Sequence, residues 1–434
     1  MRTLFENAAI LLRGEDRYFV LKDAFLAVKD EFIEYIGEDR PTGDFEAIKD
    51  MSGRLLMPGL VNTHCHSSMT LMRGVGSDKN LQDWLFNCIF PIEAKLRDQD
   101  IIAGSELAFA ELLSTGTTSV TDMYFTPPLI CKLAEQVGIK LNTNDAVTIP
   151  GELDDVAESK IQRAVKLFYD WDGKADGRIK VDVAIHSEYL NSDPVLKRYL
   201  ELSRGQKTQF HMHLSETATE HRECVERHGM TPIAYMESLG YLEEFPTYCA
   251  HCVHVTDEDL AIFKKHGVTI AHNPSSNMKL GSGYAPIRKA LDMGINISLG
   301  TDGASSNNNL NMFEELHLAA MLHKGYNQDP TALSVTQLLD MATVNGAKAQ
   351  GRFDTGVLEA GKRADIIAID LTGPHMFPYY DIPALHCYSA PGSDVRMTMV
   401  DGRILYEDGK YLTMDIEKVM KDARESADYL LADA

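Results

Sequence analysis

From about Leu55 to about Asp302 the chain repeats one unit: a short apolar, β-branched run, a polar tip, then a longer helical stretch. Alternation of this kind builds βα units, and their strands run parallel because each helix carries the chain back to the starting edge. Eight such strands are predicted, ending near His66, Tyr124, Asn144, Tyr189, Ser215, Val255, Asn273 and Asp302. Runs such as Thr117-Thr118-Ser119-Val120-Thr121-Asp122 and Val268-Thr269-Ile270-Ala271-His272 are β-branched and bounded by breakers, as strands require. Eight parallel strands are enough to close a barrel. The predicted fold class is therefore α/β, a (β/α)8 TIM-type barrel over residues 57–360.

The flanks read differently. Ala8 to Leu12, Phe25 to Val28 and Phe32 to Ile36 are short β-rich runs, with a turn at Lys29-Asp30 and an end at Gly37. Beyond the barrel, Gly361 to Asp370 opens a second β-rich stretch, and Val395 to Tyr406 with Asp401-Gly402 reads as a hairpin. The two ends, residues 1–56 and 361–434, are expected to pair as one small β-sandwich, finished by a helix from about Met414.

Composition narrows the function. With 42 basic against 64 acidic residues the formal net charge is −22, which repels a phosphate backbone, so nucleic acid is not an expected partner. The longest apolar run near the start, Ala8 to Leu12, falls far short of the roughly 18 residues of a membrane span. It is also too short for a signal-peptide core, and a cytoplasmic protein is expected. Seven cysteines, sparse and odd in number, do not make a disulfide framework and read as reduced thiols. Cys249 and Cys252 lack the second pair that a zinc knuckle needs.

Chemistry concentrates at the strand tips. His64 and His66 are two apart on a strand, so they face the same way about 7 Å apart, close enough to share a cation. Alone the pair says little, but Asp122, His186, His211, His213, His251, His272 and Asp302 also fall at or near predicted strand ends. In a barrel these ends share one face, which carries the active site. His64, His66, His213 and Asp302 would make a site of three histidines and a carboxylate for one divalent metal, Zn2+ first, with Fe2+, Ni2+ or Mn2+ as alternatives. His211 shares a face with His213, and spacing alone allows either. His213 is preferred because it is nearer the strand end and precedes Glu216. Glu216, three residues past that ligand, is placed to move protons, although an acid in a first helical turn is also favoured for its own sake.

Five segments, Pro58 to His66, His213 to Thr217, Ala250 to His254, His272 to Leu280 and Leu299 to Gly303, together resemble the amidohydrolase superfamily. Within it the chain is similar to the deaminase and chlorohydrolase branch, above all the 5′-methylthioadenosine/S-adenosylhomocysteine deaminases. The resemblance implies a barrel with a β-sandwich from both termini, one catalytic metal, and hydrolytic loss of ammonia from a small nucleoside. It implies Glu216 as proton shuttle, His251 as a donor orienting the attacking water, and Asp302 as a second proton acceptor. In Leu81-Gln82-Asp83-Trp84-Leu85-Phe86 it implies substrate contacts at Asp83, where the family usually has glutamate to hold the ribose hydroxyls, and at Trp84. His186 matches a histidine used at the nucleoside. Members are often homo-oligomers.

The chain departs from the family after the third strand. Members that accept S-adenosylhomocysteine place arginine there to meet its carboxylate. Here the segment reads Asn142-Thr143-Asn144-Asp145-Ala146-Val147, followed by acidic Glu152 to Glu158. A neutral adenine nucleoside is therefore expected: 5′-methylthioadenosine, 5′-deoxyadenosine or adenosine ahead of S-adenosylhomocysteine. The alternative is another heterocycle, guanine-like, pterin, chlorotriazine or cyclic amide. Many ring-opening members use two metals bridged by a lysine after the fourth strand, where this chain has His186. A barrel that has lost catalysis is disfavoured because every ligand and the shuttle are present.

Overall fold

The structure, a computed structural model, describes residues 1–432. The first five strands are β1 (Arg2–Arg13), β2 (Tyr18–Lys29), β3 (Phe32–Gly37), β4 (Ala47–Asp50) and β5 (Arg54–Pro58). Then come β6 (Leu60–Cys65), β7 (Thr117–Met123), β8 (Lys140–Asn144), β9 (Ile179–Val181), β10 (Val183–Ala184), β11 (Phe210–Leu214), β12 (Thr247–His251), β13 (Thr269–His272) and β14 (Ile297–Leu299). The chain ends with β15 (Ile366–Asp370), β16 (Val395–Val400), β17 (Arg403–Glu407), β18 (Lys410–Tyr411) and the helix Ile416–Leu430.

The middle strands are all parallel and separated by helices, as the alternation predicts. Their pairing is not one closed ring, however: β6 to β9 form a four-stranded sheet and β10 to β14 a five-stranded one. The sheets abut at both edges. Asp302 N–H donates to His64 O at 2.9 Å on one side, and on the other Val147 N–H, just past β8, donates to Ala184 O of β10 at 3.1 Å. The predicted fourth strand is split at Asp182, and the fourth, sixth and eighth strands stop short of Tyr189, Val255 and Asp302. The residues between carry the chain out of the sheet and into the site.

Both termini do meet, in one nine-stranded sheet of order β18-β17-β16-β15-β5-β1-β2-β3, with β4 added to β1. Pairing thus joins the two ends of the chain in a single sheet, as their β-rich runs led us to expect. The hairpin between β16 and β17 turns at Asp401 and Gly402, both with positive φ, the conformation that a two-residue turn matched to strand twist demands.

Side-chain alternation sorts the parallel strands. On β11, Phe210, Met212 and Leu214 join the large apolar cluster with Leu196, Phe263 and Leu316, leaving His211 and His213 on the other face. That inner face holds a polar plug away from the strand tips. Asn142 Nδ2 and Tyr248 OH both donate to Asp182, at 3.1 and 2.6 Å, and Gln350 Nε2 donates to Thr121 Oγ1 at 3.1 Å. Arg352, buried, donates to Asn142 Oδ1 at 3.1 Å and to Leu141 O at 3.1 Å. Buried polar groups satisfied in this way do not carry the cost of lone ones. Among the described residues no helix is long and apolar enough to cross a membrane.

Candidate active site

At the carboxyl ends of the strands the backbone leaves the sheet through conformations that side chains rarely adopt. Ser215, His251, Cys252 and Asp302 have φ of 47°, 70°, 51° and 61°. Such strain costs of order 1–3 kcal/mol per residue and persists where the surroundings fix it. Here it turns Glu216, His251 and Asp302 inward over His64, His66 and His213. Glu220 helps: its carboxylate accepts Ser215 N–H at 2.7 Å and Glu216 N–H at 2.8 Å, tying down the turn that presents Glu216. Burial and the Glu216 carboxylate push the Glu220 carboxyl up to about 7.

The histidines are oriented from behind. His66 Nδ1 lies 2.6 Å from Met123 O and His213 Nδ1 lies 2.8 Å from His186 O. A carbonyl accepts only, so both rings carry a proton on Nδ1 and turn Nε2 forward. His64 reaches the same state through a relay. His211 Nδ1–H donates to Tyr248 O at 3.0 Å, which makes His211 Nε2 the acceptor of His64 Nδ1–H at 2.9 Å. His64 Nε2 is thereby left as a fully buried lone pair with no hydrogen-bond partner among the described residues.

These forward-facing nitrogens lie close to Asp302. Its Oδ1 lies 3.1 Å from His66 Nε2 and 3.4 Å from His64 Nε2, and His213 Nε2 is 3.2 Å from His66 Nε2. Its Oδ2 accepts from Ser276 Oγ at 2.6 Å and Ser306 Oγ at 2.8 Å. Donor atoms of His64, His213, His251 and Asp302 all lie within 4.8 Å of one another. Burial lowers His64 to about 4 and holds His211 and His213 well below the usual histidine range. Burial also opposes charge on His66, but the neighbouring Asp302 carboxylate outweighs it and raises that ring to about 9. Asp302 itself is held well below the usual carboxylate range, against burial, by His64 and His66. Three imidazole rings held from behind and one carboxylate gathered here suit a divalent transition metal of the zinc type, although the group within 4.8 Å takes in His251, while His66 joins it through its 3.1 Å contact with Asp302. The orphaned His64 Nε2 is the observation that fits a cation best.

A cavity of about 1060 Å³, its open mouth included, lies over this cluster. Glu216 and His251 line it, with His251 Nε2 at 3.7 Å from Glu216 Oε2. Ser282 Oγ donates to Glu216 Oε1 at 3.1 Å, and His251 Nδ1 pairs with Asn277 Oδ1 at 2.9 Å. Burial pushes the Glu216 carboxyl up, opposed by His251. His186 lines the wall, its ring stacked on His213 at 4.4 Å, and burial lowers it to about 3. Trp84 also lines it and donates from Nε1 to Val75 O at 3.2 Å.

Asp83 does not line the cavity. Its side chain is 43% exposed, 3.6 Å from Lys79 Nζ, and accepts from Asn87. Sequence reasoning missed Glu93 and Tyr124, which do line it, and the hydroxyls of Ser276, Ser282 and Ser306. One signal was available: Leu81, Leu85, Ile89, Phe90 and Glu93 recur at helical spacing, and all of them face the cavity. The serines gave none.

Residues 55–405 match the amidohydrolase family, and the chain belongs to it. The 5-methylthioadenosine/S-adenosylhomocysteine deaminase of Caldanaerobacter subterraneus subsp. tengcongensis is 40% identical over 99% of both chains. The 5′-deoxyadenosine deaminase of Methanosarcina acetivorans is also 40% identical over 99% of both. Among solved structures, an adenosine deaminase from Xanthomonas campestris with bound zinc superposes with a TM-score of 0.92 at 30% identity, covering 99% of this chain and 98% of that one.

Proposed function

We infer that the protein is a metal-dependent hydrolytic deaminase that removes the exocyclic amine of an adenine nucleoside as ammonia. The observation that carries this is the junction of two sets of groups in one cavity. His64, His66, His213 and Asp302 would hold the cation, and Glu216 and His251 stand beside them. The names of the relatives supply the substrate class. A divalent cation, which we take to be Zn2+, supplies when bound an activated water at neutral pH.

The chain's residues do the rest. The attacking water gives up two protons in all: Asp302 and Glu216 take up one each, one to be passed to the ring nitrogen and one to the leaving amine, while His251 orients that water through Nε2. Glu216, held by Ser282, returns a proton to the exocyclic nitrogen so that it leaves as ammonia. A carboxyl raised by burial is suited to this two-way transfer, since a proton shuttle works best near the ambient pH. His186 would meet the base on the cavity wall and Trp84 would pack against the nucleoside.

The architecture follows the same reading. We take the two parallel sheets as halves of one (β/α)8 barrel over residues 57–360, because hydrogen bonds cross both seams. Residues 1–56 and 361–434 would form the accompanying β-sandwich domain. The seven cysteines are unpaired, six of them buried, which fits a reducing cytoplasm.

The test is ultraviolet absorbance of zinc-loaded protein with 5′-deoxyadenosine, 5′-methylthioadenosine and adenosine, with released ammonia measured in parallel and Glu216→Gln as the inactive control. Conversion of the adenine chromophore to hypoxanthine by the wild type alone is expected. No conversion across the panel would overturn the reading and leave other heterocycles to be tried.

A further inference from the structure

A nucleoside seated with its amine at Glu216 must bury its ribose hydroxyls in the same cavity, and buried hydroxyls without partners cost free energy. Carboxylates are the strongest uncharged-hydroxyl acceptors available, and five line the cavity: Glu93, Asp145, Glu216, Glu220 and Asp302. Four are committed. Glu216 and Asp302 stand at the reacting end, and Glu220 holds the two backbone N–H groups described above. Both oxygens of Asp145 are taken by Arg163, at 2.6 Å from Nε and 3.2 Å from Nη2.

Glu93 is left. Its Oε1 accepts Tyr124 OH at 2.8 Å, and its Oε2 has no hydrogen-bond partner among the described residues. Resting on the nucleoside reading above, we propose that Glu93, fixed by Tyr124, is the acceptor of the ribose 2′,3′-diol in this chain, in place of Asp83.

Local geometry explains the exchange. Asp83 and Glu93 lie ten residues apart on one continuous helical stretch interrupted by a wide π-turn at Leu85–Ile89. A π-turn absorbs one extra residue, so the two positions are separated by about nine α-helical steps of about 100°, roughly half a turn around the axis. One side chain must therefore face away when the other faces the cavity. The structure turns Glu93 and Trp84 inward and leaves Asp83 with Lys79 and Asn87 in solvent.

The experiment compares adenosine with 2′,3′-dideoxyadenosine, which keeps the base and the 5′-hydroxyl but lacks the diol, on zinc-loaded wild type and Glu93→Gln, Glu93→Ala, Tyr124→Phe and Asp83→Ala variants. Glu93→Ala is expected to raise KM for adenosine about 100-fold, two-thirds or more of it by loss of the diol contacts, while kcat/KM for the dideoxynucleoside stays within about twofold of wild type. Glu93→Gln and Tyr124→Phe should show smaller selective losses, and Asp83→Ala none. Calorimetry on zinc-free protein should show the same split for inosine against 2′,3′-dideoxyinosine. Equal loss on both nucleosides in the Glu93 variants, or a selective loss in Asp83→Ala, would overturn this assignment while the deaminase reading stood. A wild type that turns over none of adenosine, 5′-deoxyadenosine and 5′-methylthioadenosine would overturn the deaminase reading and this assignment with it.

Discussion

A histidine with no partner is as informative as one with several. His386, on the helix Ile382–Tyr388, packs against Phe313, and neither of its ring nitrogens has a hydrogen-bond partner among the described residues. Burial lowers it to about 3. An unfolded chain protonates histidine near 6.5, so between pH about 6.5 and about 3 the unfolded state binds more protons and stability falls as the pH drops through that window. His386→Leu removes this dependence. Relative to wild type it should gain roughly 2 kcal/mol more at pH 5 than at pH 7, read from urea midpoints at the two values. His64 Nε2 is unpartnered for the opposite reason, since its neighbours all serve to leave it bare. Sequence spacing could bring His64, His66, His213 and Asp302 to one place, because period-two alternation and shared strand ends are visible in a string of letters. It could not show that His211 sets the tautomer of His64, which depends on a carbonyl of the next strand.

The elements were legible where their pattern was local. Eight apolar runs appear close to where they were expected, and the hairpin at Asp401-Gly402 and the last helix follow from turn and cap chemistry. Strand ends were misjudged at Tyr189, Val255 and Asp302, because the chain bends out of the sheet in conformations that composition does not mark. Asp83 was misplaced for a related reason: the π-turn that rotates it into solvent leaves no signature in residue type. Close approach of two elements is equally silent until built. A Cβ on Gly300 would lie 2.9 Å from the backbone nitrogen of His64 and 2.7 Å from Asn273 Nδ2. Gly300→Ala must therefore push the end of β14 away from β6. It is expected to fold but to weaken zinc binding by roughly 10–100-fold, the usual effect of disturbing the groups behind a metal ligand, measured by competition with a chelator dye.

At the scale of the whole molecule, the net charge of −22 is repeated inside. The cavity is lined by five carboxylates and, among the described residues, by no lysine or arginine. An amino-acid tail would bring in a carboxylate that finds no lysine or arginine to meet it, and a buried charge left unpaired disfavours such a substrate. S-adenosylhomocysteine is expected to show kcat/KM at least about tenfold below that of 5′-deoxyadenosine. Parity between the two would refute this. That the two chain ends share one sheet was legible from their β-rich runs, but its strand order was not, since β15 pairs with β5 across the whole of the intervening chain. The seam between β6 and β14 has a consequence in time. His64 emerges early in synthesis and Asp302 late, and the Asp302 N–H bond to His64 O forms only when the last parallel strand docks against the first. A growing chain thus holds an unfinished set of the proposed ligands until Asp302 has emerged, and the site is completed in one step rather than by degrees.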